Sequence, residues 1–407
     1  MNTATNPKIT PFSDDRVEGL IEEIRSLRPM IQKNAPEGEK QRSPTSEIQE
    51  KVFDNLKLLN LLLPKRWGGS GMSPSGFARV QQQLGKADLS VSWVTQIING
   101  STLLATRTSD EIQEAIFGDG PSTVCSAYNP PGKAKETDGG YIVSGAWPYS
   151  SGSRQAKWIM GGCLIADPSG PVVPGINMCF IPMSECEIED TWYVTGMQGT
   201  GSDTTVAKEV FLPQHMMVTM EKPVGTIDPT IKHFGAASDY LPVVPLVRCT
   251  GIAQLLGGAQ YMLELVQAET PNKPIVTTTF PKRSESHVYV HDIGKVAAQL
   301  DAAELILFDA IGQLDRVGLT GAQMKPVEAA KNRAQCAQVI ELIHGSMEKL
   351  MFMAGSSAFA LKNPLQRYWR DLSMGLRHVQ NIPTLGYEIY GRDRLEISPN
   401  ISPPGAY

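Results

Sequence analysis

The chain has 407 residues, 41% hydrophobic and 19% charged, a composition of folded domains with sizeable cores rather than of a disordered or fibrous protein. Lys+Arg 37 against Asp+Glu 42 gives a formal charge of -5, which argues against a nucleic-acid partner, since neutralising phosphates needs a basic footprint. Six cysteines without a C-x-x-C pair give neither a zinc ribbon nor a disulfide framework, no apolar run reaches the roughly 18 residues of a membrane span, and the N-terminus has no signal-like pattern; a reduced, cytoplasmic protein is expected.

From about Asp14 to Phe117 the pattern is helical. Apolar residues return every three or four positions in Ile48–Leu56, and Leu58–Leu63 ends at Pro64, which cannot continue a helix. Trp67–Gly76 reads as a loop, with Ser73 or Ser75 beside Pro74 starting the next helix. From about Pro121 to Pro213, short apolar stretches alternate with Gly, Pro and Asp: STVCSAY, GYIVSGAW, KWIMGGCLIA, NMCFIP, TWYVTGM and AKEVFLP. These read as antiparallel strands of a small barrel or sandwich, with Asp138-Gly139-Gly140 as a hairpin turn.

After about Ser238 long helices return. Val296, Leu300, Ala303, Leu307 and Ala310 form one core face, and Ala330, Ala334, Ala337, Ile340, His344, Met347 and Met351 form another. With Val243–Gln267 and a last helix after Pro364, this makes the four helices of a bundle.

Neither GxGxxG after a strand nor GxxxxGK[ST] occurs, and no G-x-S-x-G elbow is present. His287 and His291 have i,i+4 spacing but lack a third ligand, so a polar helix start is expected there and no metal. His344 reads as a core histidine and the cysteines as inert core residues.

Three segments carry a chemical signal. In the first, a strand ends in Trp147-Pro148-Tyr149, and Ser150, Ser151 and Gly152 follow. Aromatic rings beside small donors suit the edge of a flat, ring-shaped cofactor, although an ordinary turn has the same composition. In the second, Gly196–Thr205, glycines alternate with Thr200, Ser202 and Thr204, as in a phosphate-wrapping or plain loop. In the third, the last helix, Asp371, Gly375, His378 and Ile382 share a stripe beside an apolar one of Trp369, Leu372, Leu376 and Val379. The first stripe is either a ligand-facing surface with room beneath the imidazole or a solvated polar face.

LPKRWGGSG, GGYIVSGAWPYSSG, TGMQGTGS with VFLP, and PLQRYWRD before His378 resemble the acyl-CoA dehydrogenase fold. More narrowly, they resemble its reduced-flavin-dependent oxygenase branch, the components that hydroxylate phenols and related aromatics. The resemblance spans about Arg16 to Tyr390. It implies an α+β, mostly α fold: an N-terminal helical domain over 1–120, a middle antiparallel β-barrel over 121–232 and a C-terminal four-helix bundle over 233–407.

It further implies reduced flavin (FADH2 or FMNH2) supplied by a separate reductase, O2 as co-substrate, a flavin C4a-hydroperoxide as oxygen donor, a small aromatic substrate and a homotetramer. By the same resemblance, Ser151 holds the flavin N5 region, with Trp147, Tyr149, Ser150 and Gly152 at the ring. Asn129, Thr200 and Ser202 flank it, and Gly355, Ser356 and Ser357 approach a flavin of a neighbouring subunit. His378 faces the substrate as base or hydrogen-bond partner, with Trp93, Asp371 and Gly375 beside it. Phenol hydroxylases of this type often carry a histidine on the helix after the first-domain Ser-x-Trp. Here Asn99 or a neighbour stands in its place, which leaves room for indoles and other heteroaromatics. Two other readings are an acyl-CoA dehydrogenase, with Glu341, Glu348 or Glu388 as base, and a non-catalytic helical interaction protein.

Overall fold

Ser73 accepts a hydrogen bond from Gly76 N at 2.9 Å, so the expected Ser-Pro start does cap a helix. The computed structural model describes residues 9–166, 177–218 and 234–398, without the side chains of 129–131. Five N-terminal helices come first: α1 (Val17–Gln41), α2 (Ser46–Ile48, continued by a π-turn over Gln49–Asp54), α3 (Pro74–Ala87), α4 (Leu89–Ala105) and α5 (Asp110–Phe117). Leu58–Leu63 is not a helix. Lys57 takes a left-handed φ of 53°, only a 3-10 turn over Leu58–Asn60 follows, and Leu61–Leu63 are buried as irregular chain.

Seven strands follow: β1 (Val124–Thr137), β2 (Gly140–Trp147), β3 (Trp158–Ala166), β4 (Asn177–Pro182), β5 (Glu187–Glu189), β6 (Thr204–Pro213) and β7 (Met217–Val218), in the spatial order β5-β6-β2-β1-β3-β4-β7. The β1–β2 hairpin turns at Asp138-Gly139, with Gly139 at φ +74°. The pairings are antiparallel except β1 with β3, which run parallel and make the sheet mixed. Thr191–Met197 is a loop rather than the expected strand. The buried Asp203 carboxylate accepts from Thr191 N at 3.0 Å and Trp192 N at 3.1 Å, taking the N–H groups that a ladder would use.

The C-terminal helices are α6 (Val243–Glu269), α7 (His287–Thr320), α8 (Pro326–Ala354), α9 (Pro364–Gly375) and α10 (Pro383–Arg394). The expected α7 face is buried throughout. On α8 the stripe runs through Ile343 instead of His344, which is exposed. His287 and His291 lie exposed at the start of α7, and no cluster of metal-ligating side chains occurs among the described residues.

The last helix divides. It ends at Gly375, where Asn381 Nδ2 donates to the Gly375 carbonyl at 3.0 Å, and Pro383 starts a new helix two residues later. His378 and Ile382 therefore leave the Asp371–Gly375 stripe, and Val379, expected in the core, is 70% exposed. No helix among the described residues is long and apolar enough to cross a membrane.

Candidate functional site

Three separate segments meet where α4, the turn after β2 and the loop before β6 come together. Tyr149 takes a left-handed φ of 59°, and Ser150 N donates to the Asp203 carbonyl, which draws that turn onto the loop. Gly152, at φ +76°, lies so close to α4 that a Cβ would stand 2.9 Å from Ile98 Cδ1. Arg154 completes the junction with a 2.7 Å ion pair to Asp203, whose side chain is wholly buried. Asp203 was not singled out from sequence; its only mark there is its place inside the Gly-Thr-Gly-Ser loop.

The junction holds a chain of hydroxyls whose proton direction follows from its ends. Trp93 Nε1 can only donate, and it points at Ser151 Oγ at 3.3 Å. At the other end Thr200 Oγ1 donates to the Met197 carbonyl at 2.8 Å, which can only accept. Between them lie Ser151 Oγ to Ser202 Oγ at 2.6 Å and Ser202 Oγ to Thr200 Oγ1 at 2.7 Å. Each proton must therefore run Ser151 to Ser202 to Thr200 to Met197. Ser151 gives its own proton to Ser202 and presents a lone pair to a ligand.

Across Trp93 stands His378, half-buried, with ring centroids 5.3 Å apart in an edge-on arrangement at 71°. Burial lowers its pKa, which keeps the imidazole neutral at pH 7. Gln380 N donates to its Nδ1 at 3.4 Å, so the neutral ring carries its proton on Nε2 and offers a donor. Gly375 clears the space behind: a Cβ there would meet Leu255 Cδ2 at 2.6 Å and Met197 Cε at 3.0 Å.

Asp371 does not face this space. Its Oδ1 accepts from Met197 N at 2.5 Å, holding the residue whose carbonyl ends the hydroxyl chain. Burial first, and then the charge of Asp88, push its pKa up to about 8 against the Met197 bond. Folding thus raises this carboxyl from an ordinary 3.8, so the native state holds an extra proton between about pH 4 and pH 8. Its stabilising contribution is complete below about pH 4 and is lost as pH rises through 8. Asp371→Asn keeps the acceptor oxygen without the charge. Melting curves at pH 5.5 and 8.5 should show wild type losing more stability than the variant over that interval, and parallel losses would show that Asp371 does not titrate there.

Other expected residues lie elsewhere. Trp147 is fully buried in the sheet, where it fills the space opposite Gly132, Gly145 and Gly161 and donates to the Gly162 carbonyl at 2.8 Å, so its ring faces no ligand. Ser150 Oγ bonds back to the Trp147 carbonyl at 2.8 Å as a turn residue. Asn99 is also buried. Its oxygen accepts from Leu62 N, and its amide donates to the Leu58 and Thr95 carbonyls, so both of its donors are committed within the core and none is left for a substrate. Tyr149 is 67% exposed, edge-on to Trp192 at 5.3 Å. Gly355, at φ +76°, opens an outer turn in which Ser356 and Ser357 are exposed. The Asn129 side chain lies outside the described residues.

The family Acyl-CoA dehydrogenase, C-terminal domain, matches residues 250–383. Over 398 residues the chain is 29% identical to the flavin-dependent monooxygenase oxygenase subunit HsaA of Mycobacterium tuberculosis, covering 96% of this chain and 99% of that one. It is 26% identical to the oxygenase component of an FADH2-dependent resorcinol hydroxylase of Rhizobium sp., with 94% of each covered. The structure of XiaF from Streptomyces sp. in complex with FADH2 and glycerol superposes with a TM-score of 0.90 at 27% identity, over 96% of this chain and 98% of that one. The chain has the acyl-CoA dehydrogenase fold and is similar over nearly its whole length to flavin-dependent monooxygenases.

The lining of this site fits a reduced flavin. A reduced isoalloxazine presents ring N–H groups, and Ser151, its own proton committed to Ser202, offers the matching acceptor.

Proposed function

We infer that the chain is the oxygenase component of a two-component flavin-dependent monooxygenase that hydroxylates a small aromatic or heteroaromatic molecule with externally supplied reduced flavin and O2. The proton-ordered chain from Trp93 to Met197, ending in Ser151 as an acceptor opposite a neutral histidine, carries this reading. Reduced flavin supplies the two electrons with which O2 is divided between the product and water. Ser151 accepts from a ring N–H and steadies it. Trp93 separates that hydroxyl from His378 and closes the space to water. His378 Nε2–H holds the oxygen or nitrogen of the substrate ring as that ring becomes electron-rich, or takes its proton in the other tautomer.

Among the described residues the dehydrogenase reading has no base in this site. Glu341 accepts from Tyr387, Glu348 from Trp369 and Glu388 from Arg392, all exposed, and Asp371 is held by Met197 N. A non-catalytic protein would have no use for the oriented hydroxyl chain.

We place the domain limits at 1–120, 121–232 and 233–407. A homotetramer is supported by exposed apolar side chains on α7, α8 and the turn beyond it, at Leu305, Phe352, Phe359 and Leu361, and Gly355–Ser357 would there meet a neighbour's flavin. The cytoplasm supplies both reductase and reduced flavin. The purified protein should oxidise no NADH, and product should appear on adding a flavin reductase. Steady NADH oxidation by the protein alone would contradict the two-component reading.

A further inference from the structure

Two cations of the helical bundle are buried without a carboxylate partner among the described residues. Arg248 on α6 is 3% exposed and Arg333 on α8 is 7% exposed. Nε and Nη1 of Arg248 and Nε of Arg333 have no hydrogen-bond partner among the described residues. Arg154 and Arg66, by contrast, pair with the buried Asp203 and Asp239. An unpaired guanidinium in the interior is costly unless an opposite charge completes it.

Beside these cations lies a pair of thiols. Cys249 follows Arg248 on α6, and Cys336 stands one turn beyond Arg333 on the same side of α8. The two sulfurs are 3.5 Å apart and both residues are buried. Asn332 settles which of them keeps its proton. Its Nδ2 donates to the Ala310 carbonyl at 3.0 Å, which turns Oδ1, able only to accept, toward Cys249 Sγ at 3.5 Å. Cys249 is thus the thiol, its proton between Asn332 Oδ1 and Cys336 Sγ, and Cys336 is the sulfur left to ionise. A hydrogen bond from Cys249, and then the charges of Arg248 and Arg333, hold the Cys336 thiol below its usual range against the effect of burial. The bond to Cys336, and then burial, push the Cys249 thiol well above that range. Burial first, and then repulsion by Arg248, lower the Arg333 pKa to about 10, and Cys336 opposes them. The missing counter-charge is therefore sulfur.

We propose that Cys336 and Cys249 form a redox site, a peroxide-reactive thiolate with its resolving thiol, completed by the Arg248 and Arg333 guanidiniums. Its substrate is hydrogen peroxide, the by-product of a reduced flavin whose oxygen is not transferred. The Cys336 thiolate attacks one peroxide oxygen. An S–O bond forms, the O–O bond breaks, and the leaving hydroxide takes up the proton that the Cys336 thiol had released, giving a sulfenic acid and water. The Cys249 sulfur then attacks the Cys336 sulfur. An S–S bond forms, the S–O bond breaks, and the hydroxyl leaves as water with the Cys249 proton. Peroxide is reduced to two waters, and the dithiol is oxidised to a disulfide joining α6 to α8. The uncommitted N–H groups of the two guanidiniums are donors for the charge that develops on the leaving oxygen. An oxidant near the size of water enters such a buried site through local opening. The site goes beyond the oxygenase reading and does not depend on it.

In the test, the reduced whole protein is treated with hydrogen peroxide, the peroxide is removed with catalase, and the remaining thiols are alkylated in denaturant and mapped in non-reduced peptides. The six alkylated thiols should fall by two, with Cys249 and Cys336 recovered as one linked peptide. Cys336→Ser should abolish the reaction, and Cys249→Ser should stop it at a Cys336 sulfenic acid that dimedone traps during unfolding. Arg248→Met should slow disulfide formation by about 10-fold or more at pH 7, the effect of raising a thiol pKa by one unit or more. All six thiols intact in wild type, a link between other cysteines, or an undiminished rate in Arg248→Met overturns the proposal. Oxidation that begins only once circular dichroism shows the protein unfolding overturns it as well. The wild-type peptide map needs no variant, so a substitution that misfolds leaves the test standing.

Discussion

His378→Ala should lower hydroxylated product by about 10²-fold or more, the scale of losing a positioned acid–base group, while hydrogen peroxide rises in its place. The imidazole stands on a turn beyond α9, outside the helical core, so the variant should keep its melting temperature within a few degrees. Its ring contact is Trp93, its Nδ1 meets Gln380 N, and its Nε2 has no partner among the described residues. Reduced-flavin affinity should therefore hold, because the hydroxyl chain that meets the flavin lies on the other side of Trp93. A packing role predicts the reverse order: a damaged fold, with the remaining folded protein still making product. Since burial lowers the His378 pKa, the acidic limb of the rate profile should also lie below the usual histidine range.

Ser151→Ala should raise peroxide released per reduced flavin consumed by roughly tenfold, the worth of one hydrogen bond of about 1.4 kcal/mol. The change removes the acceptor offered to the ring and frees the Trp93 indole, and it leaves Ser202 still donating to Thr200. Reduced-flavin affinity measured anaerobically should fall with it. Ser202→Ala should have a smaller effect of the same sign, because Ser151 then loses the partner that orients its proton without losing its oxygen. If both variants keep wild-type coupling and flavin affinity, the chain is only a turn support.

Local periodicity made the core faces legible from sequence, and the motif resemblance made the members of the site legible. The 4-3-4-3 spacing on α7 marks a core face because apolar residues at that interval cannot all face water. The same periodicity misleads where the chain stops being helical: Asp371, Gly375 and His378 fit one stripe, yet Asn381 caps Gly375 and Pro383 starts anew. Trp147 reads as a cofactor platform, since strand-end aromatics often face ligands. What turns it inward is an absence of side chains at Gly132, Gly145 and Gly161, spread over three strands. Asn99 has the polarity of a substrate contact, but its partners Leu58 and Leu62 lie about forty residues away in an irregular segment. The Trp93–Ser151–Ser202–Thr200 chain also draws on distant segments, so only its members, and not their order of donation, show in sequence.

The most direct measurement is product formation with chemically reduced flavin, a panel of small aromatic and heteroaromatic substrates and ¹⁸O2, with nicotinamide and reductase left out. The account predicts one ¹⁸O atom in each hydroxylated product and none from labelled water, with His378→Ala yielding labelled peroxide instead. Unlabelled product, or flavin reduction by substrate under argon without any oxygen transfer, would contradict it.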